Sequence, residues 1–237
     1  NKERAGALFD LLIKRKTNIK WTGPNGVAIW TLDKPLLKKM KGSGCYRLTF
    51  GIESGSKITQ QFIRKNLNLS LAKRMIAYAN KIGIWTLSTF IIGFPFQDRK
   101  QIDKSIKYAI SSVTDFATFY VLMPFPATDI WKILTEKKLI DTNEFYKETG
   151  YYLSTRGVNS TFFNHREIRG HSTRAHKEVL KAQIKRVIFK PGHYLAKVHS
   201  LGDLFYLLKL MKQFVFLLLN SLASGDKVGG VVYRKSV

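Results

Sequence analysis

The chain has 237 residues, and its 40 lysines and arginines exceed its 16 aspartates and glutamates by a formal net charge of +24. A hydrophobic content of 45% and an aromatic content of 13% exclude simple disorder, which needs low hydrophobicity. The single cysteine, Cys45, excludes an internal disulfide and any zinc or iron–sulfur site built only from cysteines of this chain. The charge indicates an anionic partner, or else lysine-rich helix faces that are simply solvated.

The first 135 residues alternate between helical periodicity and short apolar runs. Helices are predicted over 4–16, 33–42, 56–63, 70–83 and 98–110, with N-caps at Asp33, Ser56, Ser70 and Asp98. Asp98 and Gln101 have the spacing of a capping box. Strands are predicted over 18–22, 46–52, 84–92 and 116–122. Strands that alternate with helices at this spacing predict an α/β fold with a parallel sheet.

The pattern changes after residue 135. Residues 136–165 are polar and aromatic and are predicted to be an irregular connector, and residues 166–237 to be a basic and apolar helical region. A helix is predicted over 172–190 and a very apolar one over 204–222. The longest uninterrupted apolar run of the second helix, 214–219, is far shorter than the roughly 20 residues that span a bilayer. Packing on the protein and lying at a membrane surface both remain open for it.

Three loops follow predicted strands and therefore lie where parallel α/β folds collect their functional residues. They carry the sequences FGIESGS (50–56), FIIGFP (90–95) and PFPATDIW (124–131), and the stretch LLKKMKGSGC (36–45) precedes the first of them. This ordered set resembles the radical SAM superfamily, and most closely the subclass that has an N-terminal cobalamin-binding domain and acts as methyltransferases or cyclases.

The resemblance implies a partial (β/α)6 radical SAM barrel, in which the four predicted strands are the family's strands three to six. The family holds a [4Fe-4S] cluster on a C-x-x-x-C-x-x-C loop after its first strand, and this sequence has no such motif. We therefore expect strands one and two and the cluster loop upstream of Asn1. We also expect the chain to be an enzyme fragment that is inactive by itself.

The resemblance also implies a binding site for S-adenosylmethionine (SAM). Glu53 would accept hydrogen bonds from the ribose hydroxyls, although a structural role in its own loop is the alternative. Ser54 is also a candidate for cofactor binding, with a role in the loop or as a cap as the alternative. The remaining candidates would approach the adenine or close over the cofactor: Ile91, Gly93, Phe94, Pro95 and Met123. Where the family continues with Gly-Glu-Thr after the proline, this chain has Phe96, Gln97 and Asp98, and we expect Gln97 to keep an amide acceptor near the adenine.

The implied function is that of a radical SAM enzyme fragment. With the missing [4Fe-4S] part it would generate a 5′-deoxyadenosyl radical or support cobalamin-dependent methyl transfer or cyclisation. The alternative is a non-enzymatic basic module that binds RNA or an anionic membrane surface. The substrate stays open among small molecules, lipids, peptides and RNA, and fold does not fix it. We expect an electron donor for the cluster, no DNA partner, no metal site in this chain, and a cytoplasmic location with membrane association left open.

Overall fold

The computed structural model describes residues 1–147, 157–198, 200–209 and 212. Its strands are β1 (Trp21–Gly23), β2 (Cys45–Glu53), β3 (Trp85–Ile92) and β4 (Phe116–Val121). Its helices are α1 (Lys2–Lys14), α2 (Lys34–Gly42), α3 (Lys57–Phe62), α4 (Leu69–Lys81), α5 (Arg99–Ser111), α6 (Asp129–Glu136), α7 (Thr142–Lys147), α8 (His165–Phe189) and α9 (Gly192–Leu195). A 3-10 turn spans Ile29–Thr31, and residues 201–209 are helical.

The four strands form one parallel sheet in the order β1-β2-β3-β4, which confirms the predicted partial barrel of consecutive βα units. Each strand lies beside the next one in the chain, because a helix returns the chain to the same end of the sheet every time. All carboxyl ends of the strands consequently meet at one end of the sheet. The loops that follow β2, β3 and β4 are brought together there.

The two faces of the sheet have different environments. Leu48, Phe50 and Ile52 of β2 are fully buried in a cluster with helix residues such as Ile76 and Ile102. On the other face, the strand register places Gly51, Thr89 and Thr118 side by side, and both threonines are only half-buried. One face therefore forms the core with the helices, while the other carries small and polar residues at the level of Gly51, Thr89 and Thr118.

Side-chain caps fix most helix starts. The predicted caps Asp33 and Asp98 each accept a backbone N–H, and Asp98 forms the expected capping box with Gln101. The prediction for Ser70 is wrong, because Asn68 accepts the N–H of Leu71 and α4 begins at Leu69. Ser56 lies at the N-cap of α3, but its hydroxyl makes no capping bond.

The region after β4 is more regular than predicted. The connector contains α7 and an isolated antiparallel bridge between Ile140 and Val158. Helix α8 begins at His165, seven residues before the predicted start, because Asn164 and Glu167 form a second capping box. The side chains of Ser172 and His176 bond the carbonyl and the N–H of Phe119, so α8 covers part of the exposed edge of β4.

The chain divides into two compact units, Asn1–Lys197 and Val198–Val237. The boundaries at residues 135 and 165 stay predictions. Residues 201–209 are helical, in agreement with the beginning of the apolar helix predicted over 204–222. Apart from residue 212, the rest of that predicted helix and the tail after 225 lie outside the described residues. Among the described helices, none combines the length and the apolar composition that a bilayer crossing requires.

Candidate functional site

A cavity of about 740 Å³ opens at the carboxyl ends of β2 and β3. Its volume lies in the range of small-molecule sites. It is lined by Trp30, Glu53, Phe62, Ile63, Arg64, Lys65, Ile91, Phe94, Asp129, Ile130 and Ile133. Three of the residues singled out in the sequence, Glu53, Ile91 and Phe94, therefore line one cavity although they come from two different strands and loops.

Glu53 is the last residue of β2 and has an unusual backbone. Its φ of 63° lies in the left-handed region, which residues other than glycine rarely adopt. The ladder between β2 and β3 also shifts register between Gly51 and Glu53. Irregularities of this kind redirect a side chain at the end of a strand and recur beside functional sites.

The carboxylate of Glu53 has a cationic partner. Its Oε1 accepts a hydrogen bond from Nζ of Lys65 at 2.8 Å, and both side chains are about one quarter exposed. A Cβ at position 51 would lie 3.0 Å from this Oε1 and 3.2 Å from this Nζ. Gly51 thus leaves the space in which the ion pair lies against the sheet.

The loop that carries Glu53 is held from behind. Gln60 Nε2 donates to the carbonyls of Ile52 and Ser54 at 2.6 and 2.7 Å. Ser54 is fully buried, and its Oγ lies 3.1 Å from Oγ of Ser105 and accepts the N–H of Ser56. The hydroxyl of Ser54 is thus engaged inside the protein, which favours a structural role for this side chain.

The loop after β3 is fixed by Gln97, a fully buried side chain. Its Oε1 accepts the N–H of Gly93 at 2.9 Å, and Gly93 adopts a φ of +100°. The amide acceptor that was expected for adenine is therefore already used by the loop itself. Phe94 follows this turn, lies against Phe62 with ring centroids 6.3 Å apart, and forms part of the cavity wall.

The other predicted residues lie around the cavity. Gly93 is packed beneath Ile168 of α8, and Pro95 is buried with its carbonyl accepting the N–H of Thr161. Met123 follows β4 and is half-buried. Gly93, Pro95 and Met123 are not among the described residues that line the cavity. Their roles in cofactor binding stay predictions.

The chemistry of the cavity suits a ligand with both polar and apolar parts. A carboxylate such as Glu53 accepts strong hydrogen bonds from a vicinal diol, and an ammonium such as Lys65 attracts a carboxylate. Ile91 and Phe94 offer an apolar surface for a planar ring. SAM has a ribose diol, an amino-acid carboxylate and an adenine, so these residues fit it.

The residues of this chain do not fit an iron–sulfur cluster. Clusters need several thiolates, and Cys45 is 1% exposed, with burial raising the pKa of its thiol to about 12. In the described part of the chain, no group of three or more histidine, cysteine, aspartate and glutamate side chains could hold a metal ion.

The sequence prediction missed Lys65 and Gln60. Lys65 lies 12 residues after Glu53 in a basic stretch that resembles many others in this chain, and Gln60 lies inside α3. The sequence offered one indication of their role, which is that both residues follow the Gly-Ile-Glu-Ser loop within the same βα unit. Only the fold shows that they turn back towards it.

Comparison with known proteins gives three curated relatives. The chain is 32% identical over 149 residues to an uncharacterized methyltransferase of Pyrococcus horikoshii, and the match covers 63% of this chain and 32% of that protein. It is 29% identical over 137 residues to cytidylyl-2-hydroxyethylphosphonate methyltransferase of Streptomyces wedmorensis, covering 55% and 26%. It is 25% identical over 126 residues to anaerobic magnesium-protoporphyrin IX monomethyl ester cyclase of Rubrivivax gelatinosus, covering 53% and 23%.

The chain thus spans between about a quarter and a third of the length of the curated relatives that it matches. No family model matches the sequence. A solved structure of coproporphyrinogen III oxidase from Escherichia coli, described as a radical SAM enzyme, aligns with 82% of this chain and 38% of that one at a TM-score of 0.47 and 15% identity. The methyltransferase and cyclase relatives are consistent with the radical SAM superfamily that the sequence resembles.

Proposed function

We propose that this chain is the SAM-binding part of a radical SAM enzyme. The observation that carries the proposal is the convergence of Glu53, Ile91 and Phe94 on one cavity at the carboxyl ends of β2 and β3. The curated relatives, two methyltransferases and a cyclase, support an enzymatic role. The cluster would come from protein that this chain does not supply, and when bound it supplies the electron that cleaves SAM.

Four residues that line the cavity have a role in this proposal. Glu53 accepts the ribose hydroxyls, and Lys65, now bonded to Glu53, turns towards the carboxylate of the amino-acid end. Ile91 and Phe94 cover the adenine and exclude water from it. Gln60 and Gln97 position the two loops through their bonds to the backbone. None of these residues is assigned to proton transfer.

The finer reaction is also part of the proposal. Methyl transfer or cyclisation with the help of cobalamin is the chemistry suggested by the subclass that the sequence resembles. The substrate class, the electron donor and the cytoplasmic location stay predictions. A non-enzymatic basic module that binds RNA or an anionic membrane surface remains the competing function, and it would leave the carboxylate and the apolar wall of the cavity without a ligand.

The test is SAM binding by the full chain and by Glu53→Ala, measured by titration calorimetry beside a thermal melt. Glu53→Ala removes one or two charge-assisted hydrogen bonds of roughly 1.5–3 kcal/mol each. After partial replacement by water, we expect SAM affinity to fall by about one to two orders of magnitude. Asp129→Asn is the matched control, because Asp129 lines the same cavity at its rim with a side chain that is 84% exposed.

The result that supports the proposal is a loss of affinity in Glu53→Ala with a melting temperature close to that of the parent, and unchanged affinity in Asp129→Asn. A well-folded Glu53→Ala variant that binds SAM like the parent removes Glu53 from the site. Reconstitution of the chain with iron and sulfide under anaerobic conditions should give no stoichiometric cluster absorbance, because Cys45 is a single buried thiol. A stable cluster on this chain alone would contradict that expectation.

A further inference from the structure

The cavity at the carboxyl ends of β2 and β3 has an outer part that the proposed binding of SAM does not use. Its side chains come from the 3-10 turn after β1, from the residues after α3 and from α6. Four residues that line this outer part carry the inference, and we call them the outer subsite: Trp30, Arg64, Ile130 and Ile133.

Trp30 presents an indole ring to solvent although two apolar side chains beside it are buried. Ile29 and Leu32 are 2% and 7% exposed and hold the turn against the core, while Trp30 is 68% exposed. The turn is fixed further by the hydroxyl of Thr31, which donates to the carbonyl of Ala28 at 2.7 Å. Within the part of the chain that the structure describes, no aromatic ring packs against Trp30. Its exposed indole therefore offers a stacking surface for a planar ring of a ligand.

Arg64 follows the end of α3 with a left-handed backbone. Its φ is 54°, and its N–H donates to the carbonyl of Gln61 at 3.0 Å. Glycine is usual at this position of a helix end, because it has no side chain to strain. The turn places two consecutive cations at different depths, since Arg64 is 84% exposed whereas Lys65 is 26% exposed and bonded to Glu53.

The guanidinium of Arg64 is available to an anion. Among the described residues its ion partner is Asp129, with 3.7 Å between Nη1 and Oδ2, which is too long for a hydrogen bond. Both side chains are 84% exposed, and an ion pair in such a setting contributes little to stability. The donors of a guanidinium match the two oxygens of a carboxylate or a phosphate. Arg64 can therefore hold an anionic group at the mouth of the cavity.

Helix α6 supplies an aliphatic wall. Ile130 and Ile133 share one face of this helix because residues three apart lie above one another, and both are half-buried where they line the cavity. The helix is fixed by Leu134, which is fully buried, and by Thr128, whose hydroxyl accepts the N–H of Trp131 at 3.3 Å. The outer subsite thus joins an aromatic surface, an aliphatic wall and one cation, which is the composition typical of small-molecule sites.

We propose that the outer subsite binds a small molecule in which a planar ring is joined to a carboxylate or a phosphate. Trp30 and the α6 wall receive the ring, and Arg64 holds the anionic group. A neutral ligand would leave Arg64 without a role, and a simple anion would leave Trp30 uncovered. That this molecule is the substrate rests on the proposed function, because a substrate of a SAM enzyme lies beside SAM in the same cavity.

The test measures the binding of ring-bearing anions to the full chain by titration calorimetry. The probes are naphthyl phosphate and naphthoate, with naphthol as the neutral ring and inorganic phosphate as the anion without a ring. We expect the better bound of the two ring-bearing anions to bind roughly tenfold more tightly than either naphthol or phosphate. Its binding should weaken with salt, because the mouth of the cavity is open to solvent.

Three variants assign the two halves of the probe. Arg64→Ala should weaken the binding of the ring-bearing anion by roughly tenfold and leave that of naphthol unchanged. Trp30→Leu should weaken the binding of both by roughly fivefold, whereas Trp30→Phe, which keeps an aromatic ring, should retain most of it. Asp129→Asn should strengthen the binding of the anion by up to about fivefold, because it frees Arg64 from its internal partner.

A matched control separates this site from the overall positive charge. Arg74→Ala removes an equally exposed class of side chain from α4, outside the cavity, and should bind the probe like the parent. The side chains of Trp30 and Arg64 are mostly exposed, so thermal melts should show that their variants fold like the parent. Equal losses in Arg64→Ala and Arg74→Ala would overturn the proposal, because they would mean general attraction by the net charge.

Other outcomes overturn the proposal as well. One is the absence of probe binding, as expected if another protein segment covers Trp30. Another is displacement of the probe by SAM, which would place the probe in the SAM site. Failure of the two proposals is told apart by measuring both ligands. A chain that binds SAM through Glu53 but no probe through Arg64 loses the outer subsite alone. A chain that binds the probe through Arg64 but no SAM loses the proposed function, and the probe site then stands without its assignment to a substrate.

Discussion

The two ends of the parallel sheet each hold a lysine–carboxylate pair, and the two pairs are built in opposite ways. At the amino end, Asp115 and Lys197 are bonded to each other with no exposed side-chain surface. At the carboxyl end, Glu53 and Lys65 are joined by one hydrogen bond and are each about one quarter exposed. The same two chemical groups therefore occur once in a sealed setting and once in an open one.

The amino-end pair is saturated with partners. Asp115 also accepts bonds from His193 at 2.8 Å and from the N–H of Thr86 at 2.7 Å. Lys197 also donates to Asn80 at 2.7 Å and lies over the ring of Trp85. Burial acts to raise the pKa of Asp115, but the bond from His193 and the charge of Lys197 outweigh it and lower the pKa below its ordinary value. No capacity is left for a ligand.

The carboxyl-end pair keeps such capacity, since a quarter of each side chain faces a cavity. Glu53 also holds a left-handed backbone conformation, and strained conformations of this kind cluster at functional sites. The comparison indicates that the number of partners, rather than the presence of charge, separates a structural pair from a candidate binding site. In α/β barrels the same division holds, with stability at the amino end and chemistry at the carboxyl end.

The largest expected effect comes from breaking the sealed pair. Lys197→Met should lower the free energy of unfolding by about 3–5 kcal/mol, because it leaves the buried carboxylate of Asp115 without its cation. Lys65→Met at the open end should cost less than about 1 kcal/mol, as is usual for partly solvated pairs. Urea unfolding of the two variants measures both. Similar costs would mean that the two pairs do not differ in kind.

The next effect is the dependence of stability on acid. The pKa of Asp115 is lower in the folded chain than its ordinary value of 3.8, so the stability it contributes is complete above pH 3.8. That stability is lost as the pH falls from 3.8 through the folded pKa, at up to about 1.4 kcal/mol per pH unit. Asp115→Asn should lack this component of the acid dependence. Unfolding curves that run parallel for parent and variant below pH 3.8 would refute the assignment.

The sequence predicted the fold well where local signals were strong. Strand β3 lies in a nearly continuous apolar run, and Asp98 and Gln101 carry a capping signature that depends only on neighbouring residues. Asn68 and Ser70 could both cap a helix, and the sequence does not decide between them. The structure shows one bond that favours the earlier start, from the hydroxyl of Tyr108 to the carbonyl of Leu69 at 2.9 Å.

The site was only partly predictable, because several of its contacts join residues that are far apart in the sequence. The loop with Glu53 was found because its residues are consecutive, and the cavity brings it together with Ile91 and Phe94 as the parallel topology requires. The partner Lys65 is 12 residues away and the pair at the amino end is separated by 82 residues. Among 40 basic residues, no local pattern distinguishes the two that face a carboxylate in a special setting.

The smallest effect tests whether the strain at the open end serves binding. A left-handed conformation costs a residue with a side chain about 1–2 kcal/mol, and glycine avoids this cost but loses part of the gain through the entropy of the unfolded chain. Glu53→Gly should therefore be about as stable as the parent and roughly 1 kcal/mol more stable than Glu53→Ala, which keeps the strained backbone. Both variants lose the bond to Lys65, so both should lose SAM affinity equally. Denaturant unfolding and calorimetry measure the two quantities. If both variants unfold much more easily than the parent, the side chain of Glu53 serves folding, and the open pair becomes a second structural pair.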